Sequence, residues 1–216
     1  MISTGLENLD ELLGGGIKNG IVTDIFGASG TGKTQLVLQI MANSLLHGGT
    51  VLYQDTTGNF RPERLLDMLR PKALDASLLD NITVGRITNV QEQFKAISKI
   101  EQANFSLVII DNITDLFSFE YSKEDQILEK NKQFTKYMKQ LASIVFEKKI
   151  PVVVVNMIRK INDTEQENLG SVMSLFTHIK IKLSKKQSSY MGEVFPHSGE
   201  NRFYYKIEKN GLTDAA

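Results

Sequence analysis

Gly27-Ala28-Ser29-Gly30-Thr31-Gly32-Lys33-Thr34 satisfies every position of the G-x-x-x-x-G-K-[ST] phosphate-binding loop. The chain on either side fits as well. Ile21 to Phe26 is an apolar run that reads as a buried strand, and Gln35 to Met41 reads as the helix such a loop opens. Gly27, Gly30 and Gly32 let the backbone curl until successive N–H groups point at phosphate oxygens. The helix N-terminus adds partial positive charge. Lys33 has the reach and charge for the β- and γ-phosphates, and the Thr34 hydroxyl suits Mg²⁺. A loop of this kind needs a metal-organising carboxylate at the end of a nearby strand. Asp111, closing the apolar run Leu107-Val-Ile-Ile110, fits that need. Lys33, Thr34 and Asp111 therefore point to a magnesium nucleoside triphosphate. No Asn-Lys-x-Asp element for guanine is present, so ATP with Mg²⁺ is the expected ligand.

Apolar runs and amphipathic segments alternate through most of the chain. Thr4 and Glu7 have the spacing of a capping box, with Leu6, Leu9, Leu12 and Leu13 on one helical face and Gly14-Gly15-Gly16 as the stop. Val51 to Asp55 reads as a strand, and Pro62 suits the first turn of the helix carrying Leu65, Leu66 and Leu69. Ile82 to Gly85 is short and apolar, and Asn89 with Glu92 caps a helix whose inner face carries Phe94, Ile97 and Ile100. Leu107 to Asp111 and Ile150 to Asn156 are continuous apolar runs of the kind buried on both faces of a parallel sheet. Phe134, Met138, Leu141 and Val145 mark a long helix between them. After about residue 175 the period falls to two: Ile179, Ile181 and Leu183, then Phe203, Tyr205 and Ile207, alternate with polar neighbours. The expected fold is α/β, a mostly parallel central sheet flanked by helices, with antiparallel strands at the C-terminal end. Residues 1–216 read as one domain.

Bulk properties narrow the function classes. The 25 basic residues balance 25 acidic ones, which argues against a chain-wide nucleic-acid footprint. There are no cysteines, so disulfides and thiolate metal sites are excluded. No apolar run approaches the roughly 18 residues of a membrane span. No signal peptide is evident, and the default expectation is cytoplasmic. His47, His178 and His197 lack a partner at ligand spacing and predict no metal site. Met68, Met138 and Met173 read as core fillers.

Ser3-Thr-Gly-Leu-x-x-Leu-Asp-Glu-Leu-Leu-Gly-Gly-Gly16 and Thr23-Asp-Ile-Phe-Gly-x-x-Gly-x-Gly-Lys-Thr-Gln35 together resemble the ATPase core of the RecA-type recombinases, in the pattern of the archaeal RadA branch. Asp55 to Arg64, Leu107 to Asn112, Val155-Asn156 and Phe203 to Leu212 resemble further segments of that branch, so the likeness covers nearly the whole chain. The resemblance implies that Arg64 stacks on the adenine and that Gln35 sits beside the phosphates. It also exposes two departures. The family carries a Glu after the Asp-Thr pair to activate the attacking water, and Thr57 stands there. A hydroxyl is no substitute for a carboxylate base, and such a base contributes about 10²–10⁴-fold. The family carries a Gln after the Asn of the Val155-Asn156 strand as a γ-phosphate sensor, and Met157 stands there; a thioether is a weak acceptor with no N–H to donate. Asp55 or Glu63 could replace the missing base, though neither occupies the family position.

The family's two DNA loops fall near Tyr121 to Lys132 and Arg159 to Asn168. The first is neutral; the second sets Arg159 and Lys160 against Asp163, Glu165 and Glu167. Neither is a convincing phosphate-binding surface. Lys180, Lys182, Lys185 and Lys186 are the better candidates for single-stranded DNA, as a basic strip beside a sheet edge. The family's upstream helical domain and its polymerisation linker have no counterpart in the sequence, which argues against a long self-filament. Core-only chains of this type resemble RadB and other recombinase paralogues, which implies an accessory role beside a RadA-type recombinase or another recombination protein, with feeble hydrolysis. The alternatives are an active DNA-dependent strand-exchange ATPase and a nucleotide-sensing regulator without a DNA role.

Overall fold

Leu107-Val-Ile-Ile110 and Val152-Val-Val-Val155 carry apolar side chains on both faces, so each is stable only when covered from both sides. The computed structural model places these two runs next to each other in the middle of one sheet, every one of their residues buried. It describes residues 1–69, 76–161, 164–187, 189–196 and 199–215. In chain order the elements are α1 (Glu7–Leu13), β1 (Val22–Gly27), α2 (Lys33–Leu46), β2 (Val51–Asp55), α3 (Pro62–Leu69), β3 (Ile82–Arg86), α4 (Val90–Gln102), β4 (Leu107–Asp111), α5 (Asp115–Glu120), α6 (Ile127–Lys148), β5 (Val152–Ile161), β6 (Thr164–Glu167), α7 (Gly170–Phe176), β7 (Ile179–Lys186), β8 (Ser189–Phe195), β9 (Arg202–Glu208) and β10 (Gly211–Asp214).

The strands form a ten-stranded sheet in the order β10-β9-β8-β7-β1-β5-β4-β2-β3, with β6 paired to β5 outside that path. From β7 to β3 every neighbour is parallel. From β7 to β10 every neighbour is antiparallel. The period-two segments thus close the sheet as antiparallel strands, and β7 joins the two regimes. Alternation along the central strands feeds two cores. Leu107, Ile109, Val153 and Val155 face α1, α2 and α3. Val108, Ile110, Val152 and Val154 face α4, α5, α6 and α7. Met68, Met138 and Met173 are buried in these cores.

Local chemistry explains the ends of α1 and the start of α4, and corrects one expectation. Asn89 caps α4 by accepting from the Glu92 N–H at 2.8 Å. Gly14, at φ 70°, ends α1 in the left-handed conformation that glycine adopts without steric cost. The capping box at Thr4 and Glu7 does not form. Thr4 donates its hydroxyl to Asp10 instead, at 2.7 Å, and the start of α1 is capped from the far end of the chain: the Glu7 N–H donates to the Asp214 carboxylate at 2.7 Å. Ile207 follows the buried period of β9 in sequence but is exposed, with its side chain against Gly32 of the loop.

The two expected DNA loops are largely regular structure. The first is a short 3₁₀ turn, Glu124–Gln126, running directly into α6. The second is the β5–β6 hairpin, whose Asp163 lies outside the described residues, as does His197. Among the described residues no helix is long and apolar enough to cross a membrane.

Candidate nucleotide-binding site

In an open α/β sheet the ends of the central strands are where helix N-termini and loop amides converge, and ligands bind there. The C-terminal ends of β1 and β4, Val155 and Met157 midway along β5, and the segment after β2 surround an open cavity of about 400 Å³. Ser29, Gly30, Gly32, Lys33, Thr34, Gln35, Arg64 and Asp111 all line it, together with Thr57 and Met157. Gly27, Ala28 and Thr31 stand behind them. The Lys33 ammonium donates to the Gly27 and Ala28 carbonyls at 2.9 and 2.7 Å, and the Thr31 hydroxyl donates to the Ala28 carbonyl at 2.9 Å. Side chains are excluded from two loop positions for different reasons. Gly30 holds φ at 77°, and a Cβ on Gly27 would lie 2.1 Å from the Leu183 carbonyl oxygen of β7.

Thr34 and Asp111, the two candidate metal ligands, come together. The Thr34 hydroxyl donates to the Asp111 carboxylate at 3.0 Å, so the two ligand candidates share one point in space. Both are hard oxygen donors. Mg²⁺ is held by one or two carboxylates plus phosphate oxygens and water, and Asp111 with the Thr34 hydroxyl would supply the protein's share. Burial raises the Asp111 carboxyl above its usual range, opposed by hydrogen bonds from Tyr53 and Thr34. Burial likewise lowers Lys33, opposed by the charges of Asp111 and Asp115. A dication beside Asp111 would relieve its buried charge.

Three contributors were not visible in the sequence. Tyr53 on β2 donates its hydroxyl to Asp111 at 2.9 Å. Tyr205 on β9 donates to the Thr31 carbonyl at 2.6 Å and so anchors the phosphate loop to the antiparallel strands. Asp115, the first residue of α5, lines the cavity beside Lys33. Each depends on strand order and on pairings between distant segments, for which no local signal exists.

Of the two replacement bases considered, neither lines the cavity. The Asp55 carboxylate accepts from the N–H groups of Thr57, Gly58, Asn59 and Phe60 and from the Thr57 hydroxyl. Burial works against its charge, but these hydrogen bonds win and hold Asp55 below the usual carboxylate range. Glu63 is exposed on the first turn of α3.

Beneath the cavity a buried polar chain runs sideways through the sheet. Thr56 bonds the Asn112 backbone, and the Asn112 side chain accepts from Thr114. Thr114 donates to Asn156 at 2.7 Å, and Asn156 donates to Glu167 of β6 at 3.0 Å. Glu167 pairs with Lys180, which also lies 3.6 Å from the fully buried Asp24. This corrects the basic strip proposed for DNA. Lys180 is an interior ion-pair partner, and β7 lies between β1 and β8 instead of at an edge. Lys182 shares a small recess with Glu165. Lys185 sits over the Tyr190 ring at 5.2 Å, and Lys186 is exposed. Lys182 and Lys185 line the same recess, while Lys180 is turned to its ion pairs.

Comparison with known proteins gives a family and relatives. The family model described as Rad51 matches residues 1–215. The chain is 30% identical to "Meiotic recombination protein DMC1 homolog B" of Oryza sativa subsp. japonica, over 99% of this chain and 68% of that protein. It is 38% identical to "DNA repair and recombination protein RadB" of Thermococcus onnurineus (strain NA1), over 73% of this chain and 69% of the relative. The RadB protein of Thermococcus sibiricus (strain DSM 12597 / MM 739) is 37% identical over the same share of the chain and 68% of its own.

Proposed function

The chain belongs to the Rad51 family of recombination and repair proteins, and from that membership we propose that it is an ATP-binding recombinase paralogue that hydrolyses ATP slowly and acts as an accessory factor in homologous recombination. One observation carries the reading: an ordered phosphate site, with Thr34 on Asp111 and Lys33 at the loop, faces Thr57 and Met157 where RecA-type recombinases carry Glu and Gln. The hydrogen bonds that saturate Asp55 support slow turnover further, because a carboxylate stabilised in its charged form is a weaker proton acceptor. On this reading residues 1–216 are one RecA-like core, Thr34 and Asp111 would hold Mg²⁺, Gln35 lies beside the phosphates, Arg64 covers the adenine, and ATP serves as a conformational ligand. The partner class is a RadA-type recombinase or another recombination protein.

Titration calorimetry with MgATP and a steady-state phosphate-release assay test the reading together. Saturable binding that Lys33→Ala abolishes, with turnover far below a DNA-stimulated recombinase, is the expected result. Turnover at recombinase level, or no binding, refutes it. A second reading, a nucleotide-sensing regulator without a DNA role, draws support from the internal pairing of Lys180.

A further inference from the structure

Resting on the ATP-binding reading above, we propose that Asp115 is the general base for the slow hydrolysis this site performs, taking over from the carboxylate that Thr57 lacks. Among the described residues lining the cavity, Asp111 and Asp115 are the two carboxylates. Asp111 is occupied: it accepts from Thr34 and Tyr53 and stands where the metal is organised. Asp115 accepts no hydrogen bond from the described residues.

β4 lies between β5 and β2 in the sheet, and the segment leaving β4 lines the same cavity as Met157 and Thr57. Asp115 projects from that segment, with the charges of Lys33 and Arg159 acting on it. An acidic residue in the first turn of a helix is ordinary dipole chemistry, but that preference does not require the side chain to open on the phosphate cavity.

The group is also chemically suited. Burial raises its carboxyl above the usual carboxylate range, with Arg159 and Lys33 opposing. That direction makes it a better proton acceptor than Asp55, which its hydrogen bonds hold low. In the step assigned to it, a water oxygen bonds to the γ-phosphorus and one water proton passes to the Asp115 carboxylate. The bond from the γ-phosphorus to the bridging oxygen breaks, and its electron pair leaves with ADP. Asp115 then returns the proton to solvent.

The test uses the full chain and reads binding as well as turnover. Wild type, Asp115→Asn and Asp115→Glu are compared for MgATP affinity, phosphate release, and affinity for ADP–beryllium fluoride and ADP–aluminium fluoride. The first fluoride mimics the ground state and the second the planar phosphoryl with its attacking water. Asp115→Asn is expected to lose about 10²-fold or more in turnover, to bind MgATP and ADP–beryllium fluoride at least as tightly as wild type, and to lose affinity for ADP–aluminium fluoride. Asp115→Glu restores part of the turnover. Turnover of Asp115→Asn within threefold of wild type overturns the proposal, and so does parallel loss of ATP binding and turnover, which marks a structural residue. A wild-type chain that binds ATP and releases no phosphate also overturns it while leaving the ATP-binding reading intact. If wild type binds no ATP, that reading fails first.

Discussion

Thr57 contributes its N–H and its hydroxyl to the Asp55 carboxylate while lining the phosphate cavity. Thr57→Glu keeps the backbone contact and adds the carboxylate that RecA-type recombinases carry. We expect turnover to rise about 10²-fold with MgATP affinity within threefold, as read by steady-state phosphate release and calorimetry. At this scale, what is legible in a sequence is what sits in one short window. Lys33, Thr34 and the loop glycines are spaced by the loop itself, and Asp111 announces itself by ending an apolar run. Tyr53 looked like any strand aromatic. Only the parallel register that sets Asp55 opposite Asp111 brings its hydroxyl under the carboxylate.

At the scale of elements, β7 shows how a period-two pattern misleads. Lysines alternating with Ile and Leu read equally well as a solvated face or as a face that pairs with another element. The hairpin of β5 and β6 supplies Glu167, β1 supplies Asp24, and Lys180 is enclosed between them. Removing one partner from a buried charge cluster leaves the others uncompensated, so Lys180→Ala is expected to cost about 3–5 kcal/mol in urea unfolding without altering DNA affinity. The cluster also sets a pH dependence. Burial, followed by the charge of Glu167, raises Asp24 well above the usual carboxylate range despite Lys180. The native state thus holds this proton more tightly than the unfolded chain. The contribution is full below the unfolded pKa of about 3.9 and is lost as pH rises through the native value. Unfolding measured from pH 4 to pH 8 is expected to show that decline, and Asp24→Asn to flatten it. The cap on α1 gives a smaller effect: Asp214→Ala is expected to cost about 1 kcal/mol in the same assay.

Across the whole molecule, strands alternating with helices were enough to read an α/β sheet, because burial on both faces leaves a continuous apolar signature that needs no partner to recognise. The order of strands left no such trace, and neither did the folding of both expected DNA loops into helix and hairpin. Charge is the other whole-molecule property. Basic and acidic residues balance, and of the four candidate lysines Lys185 and Lys186 remain most exposed. A log–log salt slope for single-stranded DNA no steeper than about −2 is therefore expected, measured by fluorescence anisotropy at two or more salt concentrations.

The bond from Glu7 to Asp214 spans 207 positions in the chain. A ribosome adding about 5–20 residues per second needs roughly 10–40 s to cover that distance. Until Asp214 has been added, the Glu7 amide lacks the carboxylate that caps it in the folded protein.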